Sequence, residues 1–108
     1  MSTGTTTIPR PSLRDRFRKL ADQWKDDSRF LSNSAQMAML RPYQQIIGLG
    51  EPAVPFILEE LRRETDHWFW ALEAITQENP VLPQDAGRVE KMAEAWIEWG
   101  VREGHLSR

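Results

Sequence analysis

His67-Trp68-Phe69-Trp70-Ala71-Leu72-Glu73-Ala74-Ile75 decides the fold, because a stretch with one formal charge and three large aromatics must be covered by other parts of the chain. At 100° per residue, Trp68, Ala71, Leu72 and Ile75 share one face, Trp70 and Ala74 point the other way, and Phe69 lies between. A short helix that is apolar nearly all round needs neighbours on several sides. The flanking segments read as amphipathic helices able to supply them. The expectation is an all-α fold, a small bundle of five or six helices.

Upstream of this stretch, Glu51-Pro52 opens a helix with an acidic residue and an early proline, both suited to a helix N-terminus. Val54, Ile57, Leu58 and Leu61 share its inner face, Phe56 falls opposite, and Asp66 is expected to cap the central helix. Pro42 suits the first turn of a short helix through Tyr43, Ile46 and Ile47, closed by Gly48 or Gly50. Before it, Ser32, Asn33 and Ser34 offer caps for another short helix carrying Met37, Ala38 and Leu40, which must stop near Arg41. One kinked helix is the alternative for this pair. Leu13, Phe17, Leu20, Ala21 and Trp24 recur at helical spacing over 13–25, with Ser12 as N-cap and Asp15 three residues on. Residues 1–11, rich in threonine and without periodicity, read as a disordered tail.

Downstream, residues 77–84 with Pro80 and Pro83 read as a loop, and Asp85 as the cap of a long last helix. Its stripe is Val89, Met92, Ala93, Trp96, Ile97 and Gly100. A glycine inside a helix costs about 1 kcal/mol relative to alanine, so Gly100 predicts close approach of another helix. Gly104 is expected to end this helix and residues 105–108 to fray, leaving one domain over 12–104.

Ile47-Gly48-Leu49-Gly50-Glu51-Pro52-Ala53-Val54-Pro55 aligns with Ile75-Thr76-Gln77-Glu78-Asn79-Pro80-Val81-Leu82-Pro83 at a constant offset of 28, matching the isoleucine and both prolines. Residues 50–61 resemble the first helix of a short HEAT-repeat unit, and Trp70-Ala71-Leu72-Glu73-Ala74-Ile75 is similar to the alanine-and-leucine pattern of the second. The resemblance covers roughly residues 46–83. It departs from the family where Trp68 and Phe69 stand in place of the usual basic residue before the alanines. It implies a HEAT-like hairpin at the centre of the bundle and, by analogy, a scaffold for binding other macromolecules without catalysis.

A chain of 108 residues forms one core, and 40% apolar with 28% charged residues belongs to the soluble globular class. No apolar run approaches the roughly 20 residues that span a bilayer, the first residues lack the features of a signal peptide, and there is no cysteine. A cytoplasmic protein without membrane partners is expected. The net charge of −2 divides unevenly: residues 1–25 hold six Lys or Arg against two Asp, net +4, and the remainder is net −6. A nucleic-acid-binding arm would produce this split. A basic helix packed on its own acidic body explains it better.

The residues offer little chemistry. His67 follows Asp66 at a helix start, where an exposed first-turn histidine is favoured over an oriented base, and His105 falls in the tail. Without cysteine or paired-histidine spacing, no metal site, cofactor or catalytic residue is expected. Gly48-Leu49-Gly50 lacks the lysine and hydroxyl residue of a phosphate loop, and Glu59, Glu60 and Glu64 read as a solvated face paired with Arg62 and Arg63. Five tryptophans are the unusual feature; Trp24, Trp68 and Trp96 are assigned to the core. Phe69, Trp70 and Trp99 lie off their stripes and are the candidate partner-binding residues, since tryptophan dominates interface hot spots. The expectation is therefore a non-enzymatic interaction module that binds another protein or itself. The alternative is weak nucleic-acid binding through Arg10, Arg14, Arg18 and Lys25.

Overall fold

The computed structural model describes residues 11–108. Among them the chain is all-α, with six α-helices and no strand: α1 (Leu13–Ser28), α2 (Ser34–Met39), α3 (Arg41–Leu49), α4 (Val54–Arg63), α5 (Phe69–Thr76) and α6 (Val89–Arg102). No helix among the described residues is long and apolar enough to cross a membrane. The tail assigned to 1–11 lies outside the described residues apart from Pro11, which is exposed.

Local chemistry sets most helix ends. Ser12 Oγ accepts from Asp15 N at 3.1 Å to open α1, and Asn33 Oδ1 accepts from Ala35 N and Gln36 N at 2.8 and 3.1 Å to open α2. Both satisfy backbone donors that a helix start leaves free. Leu40 is extended between α2 and α3, so these are two helices, with Pro42 in the first turn of the second. Gly50, at φ +77°, stops α3. Glu51–Ala53 form a 3-10 turn rather than α-helix, and α4 follows directly.

The core is aromatic. Trp24, Tyr43 and Trp68 converge from α1, α3 and the residue before α5, with ring centroids 4.5 to 5.9 Å apart; Tyr43 and Trp68 stack within 9° of parallel. Phe17 lies against both Trp68 and Phe56. Trp24 Nε1 donates to Met37 O at 2.9 Å, so the buried indole also fixes α2. Trp96 is buried on α6, as its stripe position requires.

Three expectations are corrected here. Asp66 does not cap α5: its Oδ1 accepts from the adjacent His67 N, and Trp68 occupies the cap position with no side-chain bond. Asp85 does not open α6: Pro83–Asp85 form a 3-10 turn, Asp85 O accepts from Arg88 N, and the helix starts at Val89. Residues 105–107 turn back onto the body instead of running out as a tail. Gly104, at φ +83°, lets His105 N reach Gly100 O at 2.8 Å while Gly104 N reaches Val101 O at 3.2 Å, the paired bonds of a Schellman cap. Leu106 then folds back into the core, and Arg62 donates to Ser107 O at 2.9 Å.

Gly100 is where α6 meets α4. A Cβ placed there would lie 2.7 Å from Leu58 Cδ1 and 3.2 Å from Leu106 Cδ1, so the close approach read from the sequence is present.

Candidate functional site

The two sequence-derived residue sets have different fates. Of the aromatic set, only Trp70 presents surface, at 51% exposure; Phe69 is 9% exposed and Trp99 4%. That corrects the expectation that all three form an exposed patch. Trp99 is covered because the Schellman cap turns His105 back onto it, the two rings stacking at 5.2 Å and 22°. Its Nε1 donates to Glu78 Oε1 at 3.3 Å, which anchors the loop after α5 to α6.

Trp70 lies on the outer face of α5, followed at helical spacing by Glu73, Ala74 and Gln77. This face borders an open groove of about 550 Å³ lined by Trp70, Glu73, Ala74, Gln77, Glu78 and Asn79. On its other side Trp70 borders a second hollow, where His67, Phe69, Glu73, Val89 and Met92 supply a mixed apolar and polar wall. Among the described residues no lysine or arginine lines either depression. The reason is in the sequence: between Arg63 and Arg88 there is no lysine or arginine, while Glu64, Asp66, Glu73, Glu78 and Asp85 are acidic. That signal was available without coordinates and would have added Glu73 and Glu78 to Trp70 as site residues.

Tyr43 holds α5 in this position. Its hydroxyl accepts from Ala71 N at 2.8 Å and donates to His67 O at 3.0 Å. Ala71 N is one of the first-turn donors left free at a helix start, so a side chain from α3 replaces the local cap. Burial pushes the Tyr43 hydroxyl well above its usual ionisation range, despite the Ala71 N–H that favours the phenolate.

The basic set is engaged inside the molecule. Arg14 pairs with Glu59 at 3.7 Å, Arg18 with Glu60 at 2.8 Å and Asp22 at 3.3 Å, and Lys25 with both Glu60 and Glu64. Arg10 lies outside the described residues. Glu60 is the hub, only 3% exposed, with Arg63 donating to Oε1 at 2.6 Å beside the Arg18 bond. The reading of Glu59, Glu60 and Glu64 as a solvated face is thus corrected at Glu60, which α1 covers. Burial would push its carboxyl up, but hydrogen bonds from Arg18, Lys25 and Arg63 outweigh this and hold it at about 2. Lys25, although partly desolvated, is raised by its bonds to Glu60 and Glu64, and Glu64 is lowered by Lys25. Arg18 is raised by Glu60 first among its partners.

His67 and His105 serve structural contacts, the first through its carbonyl and the second through its ring. Among the described residues no group of three or more His, Asp or Glu side chains is placed to hold a metal ion. No protein-family model, curated protein or solved structure matches the chain.

Proposed function

We propose that the protein is a non-enzymatic interaction module that binds another protein, or a second copy of itself, through the surface centred on Trp70. The observation that carries this reading is a large aromatic side chain left half in solvent on a helix whose other aromatic, Phe69, is buried. Tryptophan is the residue most enriched at interface hot spots, and a rigid ring on a helix loses little conformational entropy when a partner covers it. The order of packing supports a scaffold: α1 lies on α3, α3 on α5 and α4 on α6. These three pairs each skip one helix, as in stacked helical hairpins, while α2 packs on the adjacent α3 and α4 also touches α5, the pair that a HEAT-like centre over residues 46–83 would join. Nucleic-acid binding is disfavoured because Arg14, Arg18 and Lys25 already face carboxylates.

The test is photo-crosslinking in the cells that carry the chain, with a benzophenone amino acid replacing Trp70 or, as control, the exposed Arg16 of α1. Protein adducts, to another chain or to a second copy, are expected from position 70 and not from position 16. Equal yields from both positions, or adducts to nucleic acid alone, would overturn the reading.

A further inference from the structure

The groove beside Trp70 has the composition of a receptor for a positive charge. Its aromatic wall is tryptophan, the side chain whose face attracts cations most strongly. Its other walls include Glu73 and Glu78, and the latter is held in place by the Trp99 indole. Glu59, Glu60 and Glu64 pair with cations of α1 across the helices, and Asp22, Asp26, Asp85 and Glu94 each pair with a basic residue three or four positions away, whereas among the described residues no lysine or arginine lines this groove. Arg14, Arg18 and Lys25 of α1 are taken up by Glu59, Glu60 and Glu64, and the chain's negative charge is concentrated in residues 64–87, which hold five carboxylates and no lysine or arginine.

We propose that the groove binds a basic segment of a partner protein, with one arginine or lysine of that segment stacked on the Trp70 indole and paired with Glu73 and Glu78. This rests on the reading of Trp70 as an interaction residue and names the chemistry of what it meets. The charge complementarity excludes a polyanion. It also disfavours an apolar helix, which would leave two carboxylates facing hydrocarbon. A cationic side chain gains from the ring and the carboxylates together, and the alkyl stem of arginine or lysine covers the exposed edge of the indole.

The test is calorimetric titration of the full chain with three probes at low ionic strength: a peptide of alternating arginine and glycine, the same peptide with glutamate for arginine, and duplex DNA. Sedimentation of the free chain over a range of concentrations runs beside it. Binding of the arginine peptide alone is expected, weakened about five-fold or more in Trp70→Ala. In the double variant Glu73→Gln, Glu78→Gln it should lose most of its salt dependence, because the screened interaction has been removed. Thermal unfolding of each variant separates a binding loss from a folding loss. Arginine-peptide binding unchanged in folded Trp70→Ala, or equal binding of the glutamate peptide or DNA, overturns the proposal. A Trp70-dependent self-association with no affinity for the arginine peptide also overturns it while leaving Trp70 as an interaction residue. Absence of both would count against the two readings together.

Discussion

Protonating Glu60 would leave Arg18, Lys25 and Arg63 facing one another across a covered site, so this one carboxylate controls how α1 holds to α4. Its folded value of about 2 lies below the ordinary 4.5. The stabilisation is therefore complete above about pH 4.5 and is lost as the pH falls towards about 2, and the linkage corresponds to something on the order of 3 kcal/mol. Glu60→Gln should lower stability at neutral pH, and its deficit against wild type should shrink on acidification through this window. Urea unfolding of both proteins across that range checks it. Gly100 gives a second expectation at this scale. A leucine there must displace Leu58 or Leu106, both buried, so Gly100→Leu should cost about 1–3 kcal/mol despite its better helix propensity. A shift of the urea midpoint measures that cost.

Among the elements, α5 depends most on distant residues. It has eight residues and no local cap, and the Tyr43 hydroxyl supplies the partner for its third backbone N–H. Tyr43→Phe keeps the stacking on Trp68 but orphans a buried donor and the His67 carbonyl, and should cost about 1–3 kcal/mol. Hydrogen exchange should show the amides of α5 losing more protection than those of α6. This dependence also explains what the sequence left unread. Ser12, Pro42 and Gly104 act through local geometry, and their places in the chain reveal them. Asp66 has the right residue type for a cap, yet its carboxylate bonds the next amide because the true partner of α5 comes from α3. Asp85 fails similarly, since Pro83 starts a 3-10 turn that takes up the residues before Val89.

For the molecule as a whole, periodicity shows which stripe of each helix faces inward but not which flank another helix will cover. Glu60 and Trp99 both lie on flanks; α1 buries the first and the returning C-terminal residues bury the second. Half of the candidate site was legible, in Trp70 and in the absence of lysine and arginine between Arg63 and Arg88. The burial of Phe69 was not, because helical periodicity places it between the two faces of α5. The uneven exposure of the indoles has an optical consequence. Trp24, Trp68, Trp96 and Trp99 are sealed from solvent, so a collisional quencher dissolved in water reaches the fluorescence of Trp70 alone. Beside Glu73 and Glu78, caesium should quench that emission more, and iodide less, than each ion quenches a free neutral indole once exposure is allowed for, and the contrast should fade with added sodium chloride as the carboxylates are screened. Trp70→Phe should abolish the quenchable component and shift the remaining spectrum to the blue, so that a fluorimeter reads both the exposure of this ring and the sign of the charge around it.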